Sequence, residues 1–439
     1  MARKNQLVLF AVFSLSICVL SFSLASHAQS ETVIYGFGAL PDGQNPIGGL
    51  IFDQAGNIYG TTSAGGNNTC AGGGASCGTV FELSPASGGG WTETILYRFT
   101  GGSDGWNPNG ALLMDASGDL FGTAAWGGMN RGVGSFGCGV VFKLSPGAGG
   151  TWTQTTLYTF TGAHDGAIPL GGLVADSSGN LYGTTSQGGN STGQITGGAV
   201  FQLVPNSSGG YNENSIFTFH GLDGAEPVST LAFDHAGNLY GTTEAGGTAN
   251  TCAAYSGCGV VFKLTPTSSG PWTEKVIHFF NGQNGQGPQG VTFDAAGNLY
   301  GPTRYGGLLG LCFNIGCGVA YELSPNGKGG WQQTRIFKFA KTNGWSSLGN
   351  LVLDGSGNAY GTTEMGGDLS CGGKNGCGVA FKLIPTSSGR SLTVLHVFGT
   401  TQADGEFPEA GMILDSSGNL YGTTTFAGLS AGTVFEIVP

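Results

Sequence analysis

The chain has 439 residues, 86 of them glycine, with 39% hydrophobic and only 9% charged residues. That is too apolar for disorder, lacks the Gly-X-Y period of collagen, and is long enough to bury a large core. The net charge is −11, from 15 basic and 26 acidic residues, which argues against nucleic acid and anionic membrane partners.

Residues 1–28 read as a secretory signal. Arg3 and Lys4 start it, Leu7 to Leu24 is an apolar run, and Ser26 and Ala28 are the small residues ahead of cleavage at Gln29. An uncleaved anchor helix is the alternative. Lipidation at Cys18 is disfavoured because Ile17 is too large for the position before it. Removing Arg3 and Lys4 takes the exported chain to −13. No second apolar stretch of membrane length follows, so no membrane insertion is expected after cleavage.

Residues 29–439 form one domain of seven repeats. The motif Asp-x-x-Gly-(Asn/Asp)-hydrophobic-(Tyr/Phe)-Gly begins at Asp53, Asp115, Asp176, Asp234, Asp294, Asp354 and Asp415, 58 to 62 residues apart. Each copy holds four short runs rich in β-branched and aromatic residues. In the first copy these are strands A (GLIFD), B (NIYGTT), C (GTVFEL) and D (ETILYRF). Four strands in seven units predict an all-β, seven-bladed β-propeller of four-stranded antiparallel blades; a parallel β-helix has shorter coils. The last copy ends after its third strand, and the exported chain starts with a spare fourth one. Residues 31–37 are therefore expected to complete blade seven beside Val434–Val438, removing the open edges.

The Asp53–Asn57 segment and its equivalents are read as tight A–B turns. Asp354-Gly355-Ser356-Gly357-Asn358 resembles the start of a calcium loop. It lacks the sixth-position Gly, and Met365 stands where a bidentate Glu is needed. Between strands D and A an Asp/Asn-Gly pair recurs at Asp42, Asp104, Asp165, Asp223, Asn284, Asn343 and Asp404. Pro usually follows, although Ser347 replaces it in copy six.

Four close cysteine pairs at equivalent places predict local disulfides: Cys70–Cys77, Cys252–Cys258, Cys312–Cys317 and Cys371–Cys377. A metal site is disfavoured, since the pairs lie in different repeats without nearby His. Cys138 has no second cysteine in its own repeat. It is expected as a reduced thiol or as a bridge to another chain.

Antiparallel order puts the B–C and D–A loops on one face, and repeat-breaking residues gather there. Trp106 and Trp345 follow the Asp/Asn-Gly pair. Trp126, Tyr305 and Phe426 share a slot after strand B, and Glu244, Arg304 and Glu364 share the slot before it. Flat aromatics beside carboxylates suit stacking on sugar rings and bonds to hydroxyls; the competing reading is capping between blades. No catalytic constellation stands out. His278 and His396 fill a ring-packing slot of strand D. Gly74–Gly78, Gly189–Gly193 and Gly132–Gly137 match hydrolase or dinucleotide motifs only formally, because none opens a helix.

The GNLYGTT and GGxVFKLxP blocks, well shown by Asp294–Gly301 and Gly259–Leu264, resemble the Gloeo-Verruco ("GloVer") tandem repeat of exported bacterial proteins. The resemblance spans nearly all of residues 31–439. It implies export, often with attachment to the cell surface through varied C-terminal anchors. The strand order is also similar to NHL and gluconolactonase-type propellers, which supports GLIFD as the innermost strand. Because the sequence ends at Pro439, directly after a strand, free secretion or a periplasmic location is expected over anchoring. The expected function is a non-catalytic, monomeric binding scaffold for an extracellular polysaccharide or protein, using the B–C/D–A face and no cofactor. Alternatives left open are a metal-dependent, lactonase-like hydrolase, with calcium as its cation, and a structural envelope component joined through Cys138.

Overall fold

The computed structural model describes residues 30–439, apart from residues 68, 72–75, 129–135, 190–196, 250, 253–256, 269, 388 and 428–430 and the side chains of 334–336. The signal segment lies outside the described residues, as do parts of all three formal catalytic motifs. The described chain forms a seven-bladed β-propeller. Blade 1 shows the pattern: strand A is Ile51–Phe52, B is Ile58–Thr62, C is Thr79–Pro85 and D is Trp91–Arg98, each antiparallel to the next. Ser30–Gly36 supplies the fourth strand of blade 7, with Ser30 opposite Val438 and Gly36 opposite Thr433. The expected seam is the observed one.

Each A–B turn is built by its aspartate. Asp53 Oδ1 accepts the Ala55 and Asn57 N–H groups at 2.8 and 2.9 Å, and Oδ2 accepts from the Asn57 amide and the Tyr59 hydroxyl. Burial works against the charge, but these bonds hold the Asp53 carboxyl below the usual range. Asp354 is used in the same way by Ser356, Asn358 and Tyr360, so the calcium-like segment is a hairpin turn.

The core sits between blades. The phenylalanine that ends strand D packs edge-on against the strand C ring of the next blade. Examples are Phe99 on Phe142 and Phe160 on Phe201, with centroids 5.1 and 5.0 Å apart; across the seam, Phe37 meets Phe81 at 5.1 Å. Burying each ring is worth about 1.5–3 kcal/mol. The glycine after the strand B tyrosine admits this ring: a Cβ on Gly183 would stand 2.5 Å from Phe201 Cζ. On the outer edge, Trp272 and Trp331 pack on Tyr182 and Tyr240 of the preceding blades. Arg390 takes that place in blade 6, lying 4.8 Å over Tyr300 and pairing with buried Glu322.

Strand A is shorter than GLIFD suggests, with two paired residues per blade. The reason lies in the D–A motif. In blade 2, Trp106 and Pro108 pair with Trp126 and Ala124, the chain then bulges, and pairing resumes at Leu113 opposite Phe121. The residue before the motif's Pro is left-handed, with φ of 60° at Asn107 and Ile168, and it turns its N–H toward the preceding blade. Asn107 donates to the Cys77 carbonyl at 3.0 Å, Ile168 to Cys138, Ser346 to Cys317 and Phe407 to Cys377. Across the seam Asn45 donates to Ala431.

All four expected disulfides form. The second cysteine of each therefore supplies, or stands in the place of, the carbonyl that receives the neighbouring blade. Disulfides persist in oxidising compartments, which fits an extracellular or periplasmic setting. Cys138 is a fully buried thiol in the core between blades 2 and 3. At that depth its sulfur has no surface to offer a second chain, contrary to the expected bridge. Among the described residues no helix is long and apolar enough to cross a membrane.

Candidate functional site

Strand A and the segment before it from all seven blades surround a central channel enclosing about 610 Å3. Its wall is tight: a Cβ on Gly110 or Gly171 would stand 2.7 or 2.6 Å from a backbone carbonyl of the next blade. Glu244, Arg304 and Glu409 belong to the same lining, at the end of the channel, its mouth, on the B–C/D–A face.

Three slots per blade build that mouth. One follows strand B (Ser63, Ala125, Ser186, Glu244, Arg304, Glu364, Thr425). Another is the left-handed residue of the D–A motif. The third follows the motif's Pro. The first two are tied by backbone: Glu244 N–H donates to Glu226 O at 2.9 Å, and Glu364 N–H to Ser346 O at 2.8 Å. In blades 1 to 3 none of these side chains is charged, and several of the polar ones bond back to the rim. Ser63 and Ser186 hydroxyls donate to Asn45 O and Ile168 O, and the Asn107 amide donates to Ser63 O.

Blades 4 to 7 differ. Glu226, Glu244, Arg304, Glu364 and Glu409 form a charged arc, with Gln289 beside it on the channel wall. Arg304 Nη1 lies 3.2 Å from Glu244 Oε1, and the Ser346 hydroxyl donates to Glu364 at 2.8 Å. Burial opposes the Arg304 charge, but Tyr305, Glu244 and Glu364 outweigh it and keep the guanidinium charged. Burial, then the neighbouring Glu244, raises Glu226 above the ordinary carboxyl range; burial, then Glu364, raises Glu409. The mouth thus presents four carboxyls around one fixed guanidinium. It offers acceptors and donors for hydroxyls or a cationic group.

Of the aromatic candidates, Trp126, Tyr305 and Phe426 belong to the slot one residue beyond that of Glu244, Arg304 and Glu364, so the alternation of the strand turns them the other way, and Trp106 and Trp345 follow the Asp/Asn-Gly pairs. They make separate spots. Trp106 and Trp126 face each other across the ladder and both pack on Phe136, at 5.3 and 6.0 Å. Trp345 is only 3% exposed and lies under Phe313. Tyr305 stands beside Arg304, and Phe426 is exposed against Phe407. Glu226, Gln289, Ser346 and Glu409 were not among the sequence candidates. Their signal was present, since the positions flanking the motif's Pro also differ between copies.

The Asp-Gly carboxylates, the motive for a cation at the mouth, serve their own turns. Asp104 accepts from Thr100 N–H, the Thr100 hydroxyl and the Tyr97 hydroxyl. Among the described residues two groups have metal-ligand spacing, and neither includes a carboxyl of the charged arc. One is Cys371, Cys377 and Glu406, whose cysteines form a disulfide. The other is Glu31, His396 and Asp404, at the junction of blades 6 and 7.

The Gloeobacter/Verrucomicrobia repeat profile matches residues 16–255 and 252–439. The chain belongs to this family. No curated protein matches the chain in sequence. Among solved structures, this member of the repeat family is similar to an ulvan lyase of a polysaccharide lyase family, bound to -[GlcA(1-4)Rha3S]-. The TM-score is 0.53 and the identity 10%, over 93% of this chain and 95% of that one. It is also similar to a Lactobacillus plantarum protein (TM-score 0.49, 12% identity, 82% of this chain and 95% of that one). A third is PorZ, a surface component of the type-IX secretion system of Porphyromonas gingivalis (TM-score 0.48, 13% identity, 89% of this chain and 46% of that one). At these identities the likeness shows the fold alone.

Proposed function

We propose that this protein is an exported binding propeller that takes a polyhydroxylated ligand, a polysaccharide chain, at the mouth of its channel. The single observation behind this reading is the charged arc. Five of the charged side chains in a chain that is only 9% charged gather at one end of the channel, around Arg304. Carboxylates and a guanidinium held by neighbours recognise hydroxyls through paired hydrogen bonds, at little ordering cost on binding. The Trp106, Trp126 and Phe136 cluster on the same face offers ring surface for a longer chain to lie across. The secretory character of residues 1–28 supports this reading, since such polymers occur outside the cytoplasm.

A glycan array followed by calorimetry on residues 29–439 tests this. Arg304→Ala and Glu244→Gln should each weaken a glycan hit about fivefold, since the pair is partly open to water and such pairs contribute about 1 kcal/mol. Trp126→Ala should weaken long chains more than short ones. Absence of any glycan ligand, or binding indifferent to Arg304→Ala, would overturn the assignment.

A further inference from the structure

Ten large apolar side chains stand exposed among the described residues, and four of them sit within one short loop: Leu308, Leu309, Leu311 and Phe313. This is the B–C loop of blade 5. Phe313 is 71% exposed. The loop is fixed in shape. The Cys312–Cys317 disulfide closes it, and Cys312, Phe313 and Asn314 run consecutively through the left-handed region, with φ of 47°, 60° and 64°. Part of its backbone is paired within the loop: Leu311 N–H donates to Leu308 O, Ile315 N–H to Cys312 O and Gly316 N–H to Leu311 O, and Gly306 N–H donates to Ile315 O. Each internal bond spares a polar pair the cost of losing water where the loop meets an apolar boundary.

The charge around the loop is the reverse of the chain's average. The D–A turns on its two sides carry Asn284 and Asn343, where the other five repeats carry Asp. Lys341 Nζ lies 5.9 Å from the Phe313 ring and 5.8 Å from Trp345. Lys338 ends strand D of the same blade, and Lys374 lies on the neighbouring B–C loop of blade 6. Asp368, also on that blade 6 loop, is exposed and accepts the Ser370 N–H.

We propose that the Leu308–Phe313 loop is a membrane-docking tip that seats the propeller on an anionic lipid surface. The apolar side chains enter the boundary between headgroups and acyl chains. Lys341 and Lys338 lay their stems along that boundary and reach the lipid phosphates. Acidic residues elsewhere are repelled from the same surface, so the propeller stands on its blade 5 edge. This goes beyond the glycan reading and does not depend on it.

Co-sedimentation of residues 29–439 with vesicles tests it, using phosphatidylglycerol-containing vesicles against pure phosphatidylcholine. The protein should bind the anionic vesicles, and added salt should weaken binding. Phe313→Ser and Lys341→Glu should each lower binding about tenfold, with unchanged melting temperatures. No binding to either vesicle, or equal binding by wild type and Phe313→Ser, overturns the proposal. Equal affinity for both lipids, or no effect of Lys341→Glu, overturns its anionic part. A dimer in sedimentation velocity that Phe313→Ser abolishes, without vesicle binding, would assign the patch to a second copy of the chain.

Discussion

One strand D position shows how a single residue is tuned by its place in the ring. Glu31, Glu93, Glu213 and Glu274 occupy the same register, and Gln154 and Gln333 occupy it in two other blades. The glutamines show what the position requires: Gln154 donates to Asp104 O and Gln333 to Asn284 O, each at 3.3 Å. A glutamate can make that bond only when protonated. Burial pushes all four up to about 7 from the ordinary 4.5. Asp42, Asp165, Asp223 and Asp404 add to the rise at Glu93, Glu213, Glu274 and Glu31 in turn, while Arg98 opposes it at Glu93 and His396 at Glu31. A carboxyl raised in the folded state favours the protonated fold. Its contribution is full below about 4.5 and is lost as pH climbs through about 7. After discounting for water access, each group is worth about 1 kcal/mol. The melting temperature should therefore fall over that window and then level. A Glu93→Gln, Glu213→Gln, Glu274→Gln variant should match wild type at pH 5 and melt a few degrees higher at pH 8. An unchanged slope in thermal melts would refute this. The A–B aspartates act in the opposite sense: held low, they give up their contribution only below the ordinary carboxylate range.

At the scale of the strand, the repeat located the elements but not their facing. Strand B, its turn aspartate, the disulfides and the Asp/Asn-Gly turns could all be read from seven aligned copies. Which of two adjacent variable slots turns into the mouth could not. Glu244, Arg304 and Glu364 turn in, whereas Trp126, Tyr305 and Phe426 turn away, because the strand continues its alternation into the paired D–A segment. That pairing is hard to anticipate, since a Pro and a left-handed residue interrupt it. Trp345 looked like a surface ring because the Phe313 that covers it comes from another blade. The strand B glycine is the most sensitive position of the element. Gly183→Ala sets a Cβ against the Phe201 ring, wedged between two blades, and should cost about 1–3 kcal/mol in urea unfolding. A neutral result would show that the ring can retreat.

For the whole molecule, the seam decides whether seven blades make a ring or a row. Blade count and closure were legible because six copies are complete, the seventh lacks only its fourth strand, and the spare strand is plain in the sequence. The docking sector was not, because a mean charge conceals where charges cluster. Phe37 is fully buried between the first and last blades, and Phe37→Ala should cost about 3–5 kcal/mol. The equivalent change at Phe160, far from the seam, gives the comparison. Limited proteolysis should then cut the Phe37→Ala protein first near its N-terminal strand, and cleavage elsewhere would show that the seam is not the weak point. That seam also sets an order of events. Ser30, at the start of the ring, finds its partner only in Val438, in the seventh blade at the far end of the repeat array. Blades can form one after another, but the circle closes only once the third strand of the seventh blade is in place, and until then two bare strand edges wait for each other.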